Sequence, residues 1–151
     1  MAASFLQAVR SRLATDATIP IPFLDVVPAG QEPNTPGLNQ LPAVVIEDNG
    51  AGGMFSRYMT SSTLPYDCQH GIRIKVYAIE TSVLETAALD LAKKIADVLT
   101  PSSLTISGSS NPRIFRGDGF LQLAQVKQPD YEGKTVYLCT MPYIGVYQPP
   151  W

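Results

Sequence analysis

Charge is scarce in this chain. Only 16% of its 151 residues are Asp, Glu, Lys or Arg, against roughly a quarter in ordinary soluble domains. The formal balance is −2, and no run of like charges occurs. A dedicated nucleic-acid binder needs a basic surface to displace counterions from phosphate, so that class is disfavoured. A surface with few charges must carry neutral polar groups or be partly buried against partners. Long apolar runs are missing as well. The longest fall far short of the roughly 20 residues that span a bilayer as a helix, so no membrane partner is expected. The opening, Met1 to Leu6, has neither a basic stretch nor an extended apolar core, and no secretory signal is expected.

The residues that usually carry chemistry are few. Two cysteines, Cys68 and Cys139, lie far apart and form no CxxC. Free thiols in a chain made in the cytoplasm are the expectation. His70 is the single histidine, so a histidine-based zinc site lacks a ligand set. The run Gly50-Ala51-Gly52-Gly53 is not GxGxxG and precedes no helical pattern, and no Walker sequence occurs. Glu47-Asp48 beside a turn signal is either a cation contact or simply solvated, and no second acidic cluster pairs with it. Either cysteine could in principle meet His70 as nucleophile and base, but the surroundings match no local signature. Arg116-Gly117-Asp118 fits a glycine-rich turn better than a receptor-binding tripeptide. No catalytic residue, cofactor or metal is assigned, and the chain is not expected to be an enzyme.

What is present is organised around His70 to Leu99. Ile72, Ile74, Val76 and Ala78 alternate with Arg73, Lys75 and Tyr77, the period of a strand with one apolar face. Ser82 and Glu85 form a capping box for a following helix. Leu84, Ala88, Leu91, Ile95 and Leu99 fall on one stripe of it, with Asp90–Lys94 and Lys93–Asp97 pairs opposite and Pro101 closing it. The stripe most simply covers the Ile72/Ile74/Val76 face.

Ahead of this unit, residues 4 to 14 read as a short helix capped by Ser4 with Gln7. Phe5, Leu6, Val9 and Leu13 lie on one side and Arg10 and Arg12 face away. Six prolines between Pro20 and Pro42 exclude helix there, leaving a short edge strand at Phe23 to Val27 within a long loop. Ala43 to Ile46 is a short strand, which Asn49-Gly50 is expected to end in a turn. Met54 to Asp67 has no clean period and reads as a hairpin arm or a loop. Beyond the helix, residues 101–112 form a loop with a possible strand at Leu104 to Ile106. Arg116 to Gly119 is a hairpin turn or a break between short strands. Thr135 to Tyr147 is the last strand, and Gln148 to Trp151 a stiff tail. The order predicts an α+β fold: a mixed or antiparallel sheet of four to five strands, two helices on one face, and a long loop or hairpin arm. Residues 1–147 form one domain and 148–151 an extended tail.

The last strand carries an inference of its own. Tyr137, Cys139, Met141 and Tyr143 share one face; Val136, Leu138, Ile144 and Val146 share the other. Both are apolar, as in strands buried on both sides. Two short helices cover one face only, so the second needs either a neighbouring subunit or the chain's own loops. Tyr and Trp are favoured interface anchors. Candidate contact residues are therefore Met54, Phe55, Arg57, Tyr58, Met59, Tyr137, Tyr143 and Trp151.

In the order and spacing of its elements, the chain resembles the tail-terminator or tail-completion proteins of tailed bacteriophages, also called head–tail joining or neck proteins. The resemblance runs from the Phe5 to Leu13 helix through Phe23 to Pro28 and Pro42 to Ile46. It is clearest from Ile72 to Ser82 into the Ala- and Leu-rich helix, and closes with the Tyr- and Val-rich late strand. The stretch from Asn49 to Asp67 and the Pro149-Pro150-Trp151 tail depart from the pattern. The resemblance implies a non-enzymatic virion protein, assembled in the host cytoplasm as a ring, commonly a hexamer. Its implied partners are copies of itself, the tail tube protein and the head–tail connector or adaptor proteins. DNA would pass through the lumen without specific binding. A small dimeric adaptor or ligand-binding α+β domain is the alternative reading of the same elements.

Overall fold

The computed structural model describes residues 2–24, 35–56, 66–80, 87–106, 112–127, 131 and 133–147. Among these, two α-helices pack on a six-stranded mixed sheet, an α+β fold as the element order predicts. The elements are α1 (Ala2–Leu13), β1 (Phe23–Leu24), a 3-10 turn (Leu38–Gln40), β2 (Ala43–Ser56), β3 (Tyr66–Ile79), α2 (Ala87–Val98), β4 (Arg113–Arg116), β5 (Gln122–Val126) and β6 (Val136–Tyr147). The sheet runs β1-β2-β3-β6, with β4 and β5 both paired along the outer side of β6. All pairings are antiparallel except β1 with β2.

The alternation in β3 sets the core. Ile72, Ile74, Val76 and Ala78 are buried on one side of the sheet, beside Val44 and Ile46 of β2 and Cys139, Met141 and Tyr143 of β6. Both helices lie on this face. α2 contributes Ala88, Leu91 and Ile95 of the predicted stripe together with Ala92, and Leu99 follows just beyond it; Leu84 lies outside the described residues. α1 contributes Phe5, Leu6, Val9 and Leu13. Each large aliphatic side chain removed from water adds about 1.5–3 kcal/mol. The Ser82/Glu85 capping box lies outside the described residues.

Several local expectations are corrected. α1 begins at Ala2, so Ser4 sits inside the helix and is not its cap. Arg12 does not turn away: its Nε–H donates to the Val98 carbonyl at 3.2 Å, placing a cation on the open C-terminal end of α2, where the helix dipole favours it. Asn49-Gly50 does not end β2. The strand continues to Ser56, with register shifts between Asp48 and Ala51 and between Ala51 and Gly53. Glycine tolerates the bulged geometry, and continued pairing with β3 outweighs the local turn preference. Met54, Phe55 and Ser56 pair with Cys68, Asp67 and Tyr66, so the unperiodic stretch is the base of a hairpin arm. Leu104 and Ile106 are buried without forming a strand.

Pro142 explains why β4 and β5 are two strands rather than one. Within a strand, the N–H and C=O of one residue point to the same side. The Pro142 carbonyl accepts the Gly117 N–H at 2.8 Å, so its nitrogen faces the β4/β5 edge with no hydrogen to offer. The chain leaves the sheet at that row. It turns through Gly119 and Leu121, at φ 73° and 68°, and rejoins at Gln122.

Gly145 marks the closest approach of helix to sheet. A Cβ at this position would run into the Phe5 ring. Phe5 also stacks on Tyr147, with centroids 5.4 Å apart and planes 21° from parallel. Gly145→Ala should therefore lower stability by about 1–3 kcal/mol through overpacking. Adding Phe5→Leu should recover part of that loss, because the two sites share one contact. Thermal unfolding of the two single variants and the double variant measures this.

Candidate functional site

The face of the sheet turned away from the helices divides into two halves. Toward the Tyr77 end it is closed by the chain itself. Val45 and Tyr77 are buried there, with Phe23, Leu41, Val126 and Leu138 packed around them. Two loops meet over them: the Tyr131 hydroxyl donates to the Pro36 carbonyl at 2.9 Å, and buried Thr35 hydrogen-bonds the Tyr77 side chain. Burial first, and the nearby Glu47 carboxylate second, push the Tyr77 hydroxyl up to about 12 against the Thr35 bond.

Toward the His70 end no loop closes the face among the described residues. Arg73, Lys75, Thr140, Pro142, Ile144 and Val146 are half-buried. A groove of about 500 Å³ lies here, lined in part by Arg73, Lys75, Asp118, Gln122, Thr140 and Pro142. The Lys75 ammonium sits 3.1 Å from a Glu47 carboxylate oxygen, a half-exposed pair worth at most about 1 kcal/mol. Beyond the groove, Phe115 is 43% exposed on β4, paired with Ile144, and the Arg113 guanidinium lies 5.9 Å over its ring. The chain's own loops thus shield the Tyr77 half of the apolar second face.

The proposed contact residues fall unevenly on this surface. Met54 and Phe55 lie in β2 where it extends past β1. Tyr137 is half-buried and packs against the helix-side core. Tyr143 is buried at 1% exposure, edge-on to Phe120 at 5.5 Å, and Arg116 lies 4.5 Å over Phe120. Its place is therefore in the subunit's own interior, not on a contact surface. Burial raises the Tyr143 hydroxyl, and the nearby Arg116 guanidinium opposes that shift without making a full hydrogen bond. Arg57, Tyr58, Met59 and Trp151 lie outside the described residues. The open half adds Arg73, Lys75, Phe115 and Pro142. The alternation that put Arg73 and Lys75 opposite Ile72 and Ile74 already placed them on the uncovered face.

Of the sparse reactive groups, Cys139 sits apart from His70. His70 is fully buried; its Nε2–H donates to Asp48 Oδ1 at 2.7 Å, its Nδ1 lies 3.4 Å from the Tyr147 hydroxyl, and its ring tilts against Phe5 at 5.1 Å. It locks the arm's base to β6 and α1. Cys139 pairs across the sheet with Val76, six positions along β3 from His70. At about 3.3 Å per residue that is roughly 20 Å, too far for a nucleophile and its base. Burial also raises the Cys139 thiol, which leaves it unreactive. Cys68 pairs with Tyr147, eight positions along β3 from the Cys139 row, beyond disulfide reach. No cluster of three metal-ligating side chains occurs among the described residues.

No family model and no curated protein sequence matches the chain. A solved structure does. The fold is similar to that of a chain in the virion of a native gene transfer agent particle, with TM-score 0.58. The match covers 98% of this chain and 97% of that one at 16% sequence identity, so what the two share is the fold, over nearly the whole length of each.

The closed half carries a pH signature. Because the folded state holds Tyr77 neutral, its contribution to stability is complete below about pH 10 and is lost as pH rises through about 12. Tyr77→Phe should flatten the alkaline fall in unfolding free energy between these values. Denaturant titrations of both proteins across that range test it.

Proposed function

We propose that the protein is a structural component of a virion, a ring subunit at the head–tail junction. It caps the tail tube and joins it to the head connector while DNA passes through the centre. One observation carries the reading: nearly the whole chain shares a fold with nearly the whole of a virion chain. The half-open sheet supports it, since a subunit built for assembly leaves apolar surface for its neighbours. The sparse charge and the balance of −2 suit a channel that must not grip DNA, because phosphate binding relies on cationic groups. The partners in this reading are copies of itself in a closed ring of about six, the tail tube protein and the connector or adaptor proteins.

The role is that of a scaffold rather than a catalyst. Met54 to Met59 and the C-terminal Pro149-Pro150-Trp151 are the segments that hold neighbours, in the manner of arms that order on binding. Deleting residues 148–151 should weaken assembly while leaving the fold intact.

The decisive experiment is done in cells that make the particle. Without this protein they should accumulate filled heads and separate tails, and an antibody against the chain should decorate the joint of complete particles. Fully joined particles in its absence, or decoration elsewhere, would contradict the assignment.

A further inference from the structure

The sheet has an edge on each side, and each is half protected. On one side β1 pairs with β2 only at Val45 and Ile46. Among the described residues no other strand pairs with the outer side of β2 from residue 47 to 56. Its register shifts end at Gly53, and residues 53–56 pair regularly with β3. On the other side β4 is covered, because the Ile114 N–H donates to the Pro101 carbonyl at 3.1 Å. β5 has β6 on its inner side and no strand on its outer side among the described residues.

Register fixes which backbone groups face outward. The Gly117 bond places the Pro142 backbone on the β4/β5 side of β6. By alternation Thr140, Leu138 and Val136 face the same way and bond their partners Gln122, Ala124 and Val126. The N–H and C=O of Leu123 and Gln125 therefore point away from the sheet. The outward N–H of Ile114 obeys the same alternation. On the opposite side, even-numbered residues of β3 face β6 and odd-numbered ones face β2, so Gly53 and Phe55 bond inward. Met54 and Ser56 present their backbone outward.

Neither exposed stretch carries a charge or a proline. Natural edges are blunted by charged side chains or proline. Residues 122–126 (Gln-Leu-Ala-Gln-Val) and 53–56 (Gly-Met-Phe-Ser) contain neither. Leu123 is a large apolar side chain left 42% exposed on β5. The two edges are unlike and lie at opposite ends of one sheet. Joining them is a heterologous contact, the kind that propagates head to tail and closes into a ring when the rotation allows.

We infer that β5 of one copy pairs with residues 53–56 of β2 in the next copy, through the outward backbone groups of Leu123 and Gln125 and of Met54 and Ser56. The occupant of each edge is the other edge of this same chain. The inference rests on the ring reading above and names the contact by which the copies join.

Hydrogen exchange of the full chain, with sedimentation mass on the same samples, tests it. In the assembled state the amides of Leu123, Gln125, Met54 and Ser56 should exchange about tenfold or more slowly relative to the dilute monomer. Gln125→Pro removes one outward N–H without touching the ladder to β6. Leu123→Lys adds an edge charge on a side chain already exposed. Each should raise the concentration needed for assembly about tenfold or more while leaving far-ultraviolet spectra unchanged. If Gln125→Pro fails to fold, Leu123→Lys and Gln125→Lys carry the test. Assembly at the wild-type concentration in these variants, with no protection at the two edges, overturns the edge contact and leaves the ring reading standing. A wild-type chain that is monomeric at every concentration also overturns it; particle decoration then decides the ring reading separately.

Discussion

Everything in this fold hangs on the ladder between β3 and β6, twelve consecutive antiparallel pairs from Cys68–Tyr147 to Ile79–Val136. Without interruption, it assigns the side chains of residues 69–79 and 136–147 to one face or the other. The even residues of β3 from His70 on and the odd residues of β6 go under the helices. Arg73 and Lys75, with Thr140, Pro142 and Ile144, go to the other side. It also decides where the backbone of Pro142 points, and hence where the outer strand must break. The Phe5 ring reaches the sheet at Gly145 because Gly145 itself carries no side chain there, between His70 and Ile114 in the same row.

The same ladder makes the two faces unequal in purpose. The helix face is a closed core of aliphatic and aromatic side chains, with buried His70 satisfied by Asp48 and Tyr147 at its rim. Among the described residues the other face is covered at one end, where Thr35, Tyr77, Tyr131 and Pro36 knit two loops over Val45. Leaving Ile144, Val146 and Phe115 partly in water costs hydrophobic stabilisation that a neighbour can recover.

The sequence disclosed whatever was set by period. β3 and α2 were legible because Ile72/Ile74/Val76 and Ala88/Leu91/Ile95 follow steps that only a strand and a helix satisfy. The double-sided β6 was legible for the same reason. What failed was local chemistry that admits two outcomes. Asn49-Gly50 serves a turn or a bulge equally well, and the choice was made by the distant strand β3. Tyr143 has the residue type of an interface anchor, but its parity with Cys139 and Met141 puts it in the core. The division of the second face could not be read, because it depends on loops joined by Tyr131 and Pro36, 95 positions apart.

The central claim is that this sheet is one sector of a closed ring. The most direct test is the mass of the purified protein across a concentration range, with electron micrographs of the same samples. Closed rings of about six copies are the predicted result. A fixed dimer that does not grow with concentration would contradict it, since a sheet with two unlike open edges would then be joined by a single twofold contact.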